Sequence, residues 1–200
     1  MALIKTNARS SSQLDATILT GNLPAISGAS LTTLNATNIS SGTLNAARYS
    51  GGKILQVVGN SQDVSHSTTS TTFVDSGVVV AITPSATSSK ILIIMNTSLG
   101  YMDSSSVNYY HHHTIFRDVS GGSATNLATG TTGGGGFGGS YRHTVSFNDI
   151  GYEFGSNFVD SPNTTSAIEY KLYHRVGDSG HTGYIGLDGT HHMTAMEIGA

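Results

Sequence analysis

Residues 90–99 read KILIIMNTSL and include five consecutive large apolar side chains, Ile91–Met95. Successive side chains of a β-strand point to opposite faces of the sheet, so this run fills both faces with apolar groups. A strand that is apolar on both faces belongs in the middle of a sheet and needs cover on both sides. We therefore expect residues 90–99 to form a central strand. A neighbouring subunit is one source of cover for its outer face, which suggests an oligomer.

The rest of residues 51–200 repeats short apolar or alternating runs between turn residues. Turn signals stand at Thr83–Ala86, Val159–Asn163 and Gly177–Gly180, the last as a hairpin connection. The other predicted strands are Lys53–Val58, Thr71–Thr83, Val107–Val119, Ala124–Thr129, Tyr141–Ile150, Ala167–Val176, Thr182–Leu187 and Thr190–Ile198. No segment shows helical periodicity over ten residues. The spacing predicts an all-β knob over residues 51–200, an antiparallel β-sandwich with a jelly roll as the first candidate.

The composition argues against several classes of function. Charged residues make up 10% of the 200 residues, and polarity comes instead from Ser, Thr, Asn and 25 glycines. The formal net charge is −3 with no basic run, so we do not expect nucleic acid as a partner. With no Cys, the sequence offers no disulfide and no thiolate ligand for a metal.

The sequence also bears on where the protein is made. No apolar run approaches the ~20 residues of a membrane span, so we expect no membrane insertion. The first residues, Met1–Arg9, lack an apolar stretch of signal-peptide length. We expect synthesis in a cytoplasm without export by that route. A virion protein released by lysis would combine such a start with an adhesin-like composition.

Residues 14–50 form a thread of large apolar residues separated by small and polar ones. The large apolar residues fall five apart, from Ile18 to Leu23 and again from Leu34 to Tyr49. A spacing of five residues fits neither one face of an α-helix nor one face of a strand, so the chain must bend once per repeat or wrap around a partner. Such a thread cannot bury a core alone. We therefore predict an extended, repeat-like stalk shared by three subunits. Its apolar positions are Ile18, Leu23, Leu34, Ile39, Leu44 and Tyr49.

Residues 1–13 are small and polar, with Leu3 and Ile4 as their apolar pair. On its own such a segment is a disordered tail. If the protein sits on a larger particle, the same segment is the natural anchor. We expect residues 1–13 to attach the chain to other virion proteins.

Three consecutive histidines, His111, His112 and His113, follow two tyrosines. On a strand, His111 and His113 share one face and His112 points to the other. A His-x-His pair on a strand is suitable for binding a metal ion, and a three-fold axis would turn one pair into six imidazoles. The alternative is a set of surface or interface histidines stacked among aromatic rings. We expect no other cofactor.

For the other histidines on predicted strands we expect structural roles. His143 and His174 lie singly on predicted strands, and we interpret them as hydrogen-bonded core or interface groups. His191 and His192 should point to opposite faces of the last strand.

Two aromatic residues are candidates for contact with a receptor. Phe137 stands in a glycine-rich run, residues 130–139, that lacks the Lys and following helix of a phosphate-binding loop. The run is therefore either a flexible loop or a mobile contact loop. Phe137 and Tyr152 on loops would stack on sugars or anchor a protein contact, although each is also a candidate core residue.

Catalysis has little support in the sequence. There is no Gly-x-Ser-x-Gly, no His-Glu-x-x-His and no Cys nucleophile. Two carboxylate pairs, Asp149 with Glu153 and Asp160 with Glu169, are weak signals for glycoside hydrolysis, because any two acids of a β-protein can be paired in this way. We therefore expect a protein that is not an enzyme and has no catalytic residues.

Several segments resemble fibre proteins of tailed bacteriophages, in particular cyanophage and marine phage fibres. Those that resemble the stalk, its junction with the knob, and the knob are Gly21–Ala25, Ser41–Tyr49, Gly52–Val58, Ser70–Gly77, Ile82–Leu92 and Met193–Ile198. The resemblance implies a homotrimeric virion appendage with an attachment segment, a thin stalk and a β-sandwich head that binds a host cell-surface glycan or protein. Some phage fibres hold a metal with His-x-His on a three-fold axis, which His111-x-His113 matches in type only.

The mounting of such an appendage stays open from the sequence. A tail or short fibre for host attachment is the first reading. A capsid-mounted head fibre or a decoration protein that reinforces the head is the alternative. A glycan-cleaving spike is a third reading, for which the sequence offers few acids.

Overall fold

The computed structural model describes residues 53–103, 110–128, 141–142, 149–186 and 189–199. All of these lie in one unit of the chain, Ser50–Ala200. The predictions for the anchor, residues 1–13, and for the stalk, residues 14–50, fall outside the described residues. The roles of Ile18, Leu23, Leu34, Ile39, Leu44 and Tyr49 therefore stay predictions.

The regular elements of the described residues are all β-strands. In chain order they are β1 (Lys53–Gln62), β2 (His66–Thr68), β3 (Val74–Ile82), β4 (Lys90–Asp103), β5 (Tyr110–Val119), β6 (Thr125–Asn126), β7 (Tyr141–Arg142), β8 (Asp149–Asp160), β9 (Ile168–Val176), β10 (Thr182–Ile185) and β11 (His191–Gly199). The scarcity of strong helix formers and the abundance of turn residues favour this outcome. The prediction of an all-β, antiparallel fold is confirmed.

The strands form two sheets, and within each sheet every pair of neighbouring strands is antiparallel. The first sheet has the order β1-β11-β4-β10-β2, and β8 pairs with the other edge of β4. The second sheet has the order β3-β9-β5-β6, with β7 also on β5. The two sheets pack face to face as a β-sandwich, because side chains of both contribute to one hydrophobic core.

Strand β4 lies in the middle of the first sheet, between β11 and β8, as its sequence predicts. Its alternating side chains Ile91, Ile93 and Met95 are buried against the second sheet. From the second sheet, alternating residues of β3 and β9 meet them. The shared core consists of Val78, Val80, Ile82, Ile91, Ile93, Met95, Ile115, Phe154, Ile168, Tyr170, Leu172, Ile185, Met193 and Ala195.

The outer face of the first sheet carries a row of apolar side chains across four strands. Val57 of β1 pairs with Met196 of β11, Met196 pairs with Leu92 of β4, and Leu92 pairs with Val159 of β8. Ile94 lies on the same face of β4. Val57 is 54% exposed and Val159 is 50% exposed. This face is the outer side of the central strand, for which the sequence predicts cover by a neighbouring subunit.

Local predictions differ from the structure around β7, β8 and β2. The predicted strand Tyr141–Ile150 contains the two residues of β7, and β8 begins only at its end and continues to Asp160. Gly151 and Gly155 interrupt the alternation that would have marked β8. The short strand β2 was not predicted, since three residues carry no recognisable period.

The segment Gly177–Gly180 is not a hairpin connection. It joins β9 of the second sheet to β10 of the first, so it carries the chain across the sandwich. Its glycines and Asp178 mark a reversal of the chain, as predicted. A turn signal does not say which sheet receives the next strand.

Candidate functional site

Strand pairing brings histidines from three strands together inside the sandwich. On β5, His111 and His113 alternate with His112, and His113 lies opposite His174 of β9. The ring of His113 stacks on Phe154 of the first sheet, with ring centroids 5.0 Å apart, so this face of β5 points into the core. His111, His113 and His174 are at most 1% exposed. These three residues with His66 of β2 are called the histidine cluster below.

The members of the histidine cluster contact one another through their ring nitrogens. His66 Nδ1 lies 2.7 Å from His174 Nε2, and His174 Nδ1 lies 2.9 Å from His111 Nε2. The ring centroids of His111 and His113 are 4.3 Å apart. One ring nitrogen each from His111, His113 and His174 lies within 4.8 Å of the other two. His174 is therefore the centre of a hydrogen-bonded chain that crosses from one sheet to the other.

A glycine in the facing sheet makes room for the His111 ring. A Cβ atom at Gly183 of β10 would lie 2.6 Å from His111 Nε2 and 2.8 Å from its Cδ2. Any other residue there would push the buried ring away from His174. The close approach of the two sheets at the histidine cluster thus depends on Gly183.

Burial keeps the imidazoles of His111 and His174 neutral, because it lowers the pKa of each. Desolvation, followed by the charges of His113 and His66, lowers the pKa of His174 to about 3. Desolvation also lowers the pKa of His111, and the neighbouring His113, His174 and His112 add to the effect. A neutral imidazole has one N–H donor and one acceptor nitrogen, so His174 can donate through one nitrogen and accept through the other. Neutral imidazole is also the form that ligates metals.

The sequence prediction of a metal pair named two residues of this cluster and missed the others. The spacing singles out His111 and His113, whereas it predicts a hydrogen-bonded core or interface role for His174 and does not single out His66. Their meeting depends on the pairing of β5 with β9 and on the contact between the sheets, neither of which a local pattern reports. Since both side chains lie inside one sandwich, a metal held by them would be bound within a single subunit.

Histidines elsewhere have structural contacts. His191 is buried on β11, with Nε2 2.8 Å from the carbonyl oxygen of Val64, while His192 is exposed beside Ser61. The two therefore occupy opposite faces of the last strand. His112 is buried on the other face of β5, and its ring stacks on Tyr110 with centroids 5.8 Å apart.

The proposed receptor-contact residues have different outcomes. Phe137 lies outside the described residues. Tyr152 lies within β8, with its backbone opposite Gly100 of β4, and so it is not on a loop. The alternation of Ile150, Tyr152 and Phe154 belongs to a strand that the adjacent glycines concealed.

Two of the four carboxylates considered for catalysis, Asp160 and Glu169, are engaged in ion pairs. Asp160 accepts hydrogen bonds from Arg117 and from the hydroxyl of Tyr170. Glu169 lies 2.9 Å from Lys171 Nζ. A surface pocket of about 370 Å³ includes Glu169 as its one acidic lining residue. Glycoside hydrolysis needs two carboxylates, so this pocket gives it no support.

Comparison with known proteins leaves the family of the chain open. No known protein family and no curated protein matches it. A solved structure of the infectious bursal disease virus VP2 subviral particle is similar at 12% identity and a TM-score of 0.33, over 72% of this chain and 39% of that chain. The structure of the Gx strain of the same virus is similar at 13% identity and a TM-score of 0.31, over 74% of this chain and 38% of that chain. The chain thus spans less than two-fifths of each.

A search of the described residues for a helix long and apolar enough to cross a membrane found none.

Proposed function

We infer that the chain is a non-enzymatic structural protein of a phage virion, a trimeric appendage whose β-sandwich knob attaches to a host surface. In this proposal residues 1–13 dock on other virion proteins, residues 14–50 form the shared stalk, and residues 51–200 form the knob. The partner on the host is a cell-surface glycan or protein.

The observation that carries the proposal is the strand order of the two sheets. Apart from β2, β7 and β10, the strands have the orders β1-β11-β4-β8 and β3-β9-β5-β6. This is the order of a jelly roll, in which the first and last strands are neighbours in one sheet. Jelly rolls occur in viral capsid proteins and in lectins, which are respectively structural and glycan-binding proteins. Because a fold alone does not define a function, the resemblance of the stalk junction to phage fibres adds the second support.

The outer face of the first sheet supports an oligomer. Monomeric proteins rarely expose a contiguous apolar surface of this kind, and here it extends from Val57 through Met196 and Leu92 to Val159. Association of subunits through this face would remove the row from water. The neighbouring subunit would also supply the cover that the outer face of the central strand requires.

The proposal is tested by the oligomeric state and the position of the chain on the particle. Light scattering of the untagged protein should give about three times 20.7 kDa. Antibody labelling of virions, viewed by electron microscopy, should place a small number of copies at the tail. Excess soluble knob should reduce adsorption of the phage to its host.

A monomer in solution would contradict the trimeric appendage. Many copies on the head, with no effect of soluble knob on adsorption, would favour a head fibre or decoration protein. Loss of polysaccharide viscosity on incubation with the protein would favour the glycan-cleaving spike.

A further inference from the structure

We propose that His111, His113 and His174 bind one divalent transition-metal ion inside each β-sandwich. Three imidazoles from two paired strands point into the same space, and the ligand nitrogens lie within 4.8 Å of one another. Strand β5 contributes a His-x-His pair, and β9 contributes the residue directly opposite His113. This site is separate from the attachment function and needs no second subunit.

His66 gives His174 the correct form for binding the metal. If His174 Nε2 carries the proton and donates it to His66 Nδ1, 2.7 Å away, then His174 Nδ1 has a free lone pair directed toward His111. Metal-ligating histidines generally donate their other ring N–H to a partner in this way, which fixes the tautomer and the ring orientation. His66 is therefore a positioning residue, and His174 Nδ1 and His111 Nε2 are the ligand atoms.

The distances are close to those of an occupied site. Two nitrogens on one tetrahedral zinc ion lie about 3.3 Å apart, given Zn–N bonds of about 2.0–2.1 Å. His111 Nε2 and His174 Nδ1 are 2.9 Å apart, so they would separate by a few tenths of an ångström. On binding, His111 changes tautomer so that its proton moves to Nδ1. The His113 ring moves toward the other two to bring its nitrogen within bonding distance.

The ligand set selects the class of ion. All three ligands are imidazole nitrogens, which suit Zn²⁺, Co²⁺, Ni²⁺ and Cu²⁺, whereas Ca²⁺ and Mg²⁺ require oxygen ligands. Three protein ligands leave a fourth tetrahedral position for water or an anion. His66 is the partly exposed member of the histidine cluster.

Binding would stabilise the knob. The ion would join β5 to β9, and His66 would link it to β2 of the facing sheet. An ion that binds the folded chain and not the unfolded chain raises the melting temperature as its free concentration rises. The expected role is therefore structural.

The experiment uses the untagged full-length protein, because a histidine tag would bind the same ions. After chelation and dialysis, the protein is titrated with Co²⁺ and with Zn²⁺ at pH 8, both in the folded state and during refolding from urea. We expect one ion per chain, visible Co²⁺ absorption typical of a four-coordinate site with three nitrogen ligands, and an increase in Tm. Zn²⁺ should displace Co²⁺ and remove the absorption.

Variants assign the binding to the cluster. His113→Leu places an alkyl group of similar volume against Phe154 without a ligand nitrogen, so it should lose the Co²⁺ absorption and the Tm increase. His66→Asn should keep one ion per chain with about 10–100-fold weaker affinity, as expected for a partner of a ligand. The control is His192→Gln, an exposed histidine of the same protein, which should bind as the wild type does.

The outcomes separate clearly. Absence of Co²⁺ absorption from the wild type in both preparations would overturn the site. Retention of full binding by folded His113→Leu, or its loss in His192→Gln, would also overturn it. If His113→Leu does not fold, the affinity of His66→Asn decides, and an unchanged value would contradict the assigned role of His174.

Discussion

Glu197 is a carboxylate on the inner face of β11, and it is fully buried. Both of its oxygens accept hydrogen bonds: the backbone N–H of Ser85 and the hydroxyls of Ser85 and Ser89 donate to Oε1, and Gln56 Nε2 donates to Oε2. Burial raises the pKa of this carboxyl, but the hydrogen bonds from Ser89, Ser85 and Gln56 outweigh it and lower the pKa to about 2. The charged form is therefore favoured by folding.

Glu197→Gln should remove a pH-dependent part of the stability. Because the folded pKa is depressed, the stabilisation is present above the unfolded value of 4.5 and is lost as pH falls toward 2. The free energy of unfolding should differ between wild type and variant by on the order of 3 kcal/mol near neutral pH. Urea denaturation over a pH series should show this difference narrowing below pH 4.5.

The matched control for this prediction is Glu169→Gln, whose carboxylate is 50% exposed. Its effect should be small at every pH, since exposed ion pairs contribute little. Protonation of buried histidines in acid lowers the free energy of unfolding of the wild type and of both variants. This effect cancels when the variants are compared with the wild type at the same pH. A constant gap between wild type and Glu197→Gln down to pH 2 would contradict the assignment.

Gly183→Ala should destabilise the knob through a single methyl group. The new Cβ would lie 2.6 Å from His111 Nε2, and that ring is buried and bonded to His174. Overpacking of this kind costs about 1–3 kcal/mol. Gly59→Ala is the control, because its Cβ would have Thr194 Oγ1 at 3.9 Å as its nearest neighbour. Equal unfolding free energies for the two variants would show that the His111 ring can move away freely.

Three strands from both sheets meet at one partly buried ion pair. Arg117 of β5 donates to both carboxylate oxygens of Asp160 on β8, at 2.9 and 3.0 Å. Tyr170 of β9 donates to Asp160 Oδ2 at 2.8 Å. Burial and the adjacent Asp160 raise the pKa of Tyr170, so its hydroxyl stays protonated and remains a donor. The group links the end of β8 in the first sheet to β5 and β9 in the second.

Arg117→Met should be more costly than Tyr170→Phe. Loss of Arg117 leaves the buried Asp160 carboxylate without its counter-ion, which costs about 3–5 kcal/mol. Tyr170→Phe removes one hydrogen bond to a group that keeps its ion pair, at a cost of about 1–3 kcal/mol. Chemical denaturation measures both. Adding Asp160→Asn to Arg117→Met should recover part of the loss, and a strictly additive double variant would argue against direct coupling.

In the proposed function, three copies of the chain associate along both the stalk and the knob. The triple variant Leu34→Ser, Ile39→Ser and Leu44→Ser removes three of the six apolar residues of the thread and changes no residue of the sandwich core. We expect it to dissociate to monomers in light scattering, with the β-sheet circular dichroism retained. If the trimer persists, residues 14–50 are a linker, and the apolar outer face of the first sheet holds the subunits together.

Much of the sandwich could be read from local patterns. The run Ile91–Met95 predicted a central strand because burial on both faces leaves no polar position in the alternation. The same rule placed β5, β9 and β11 to within a few residues at their described ends. It failed for β8, where Gly151 and Gly155 interrupt the pattern. A Cβ at Gly155 would lie 2.7 Å from Asn96 Oδ1 on the neighbouring strand β4. This glycine therefore makes room for Asn96, and it interrupts the alternation of apolar and polar residues along β8.

Local patterns predicted only part of the histidine cluster. The spacing of His111 and His113 placed them on one face of β5, since the period of a strand is local. His174 and His66 joined them because β9 pairs with β5 in a particular register and β2 lies across the core. Register and sheet assignment depend on the packing of every strand at once, and the close approach at Gly183 exists only when both sheets are assembled. Alternation along a strand records which side is buried, whereas the identity of a buried neighbour is set by the complete fold.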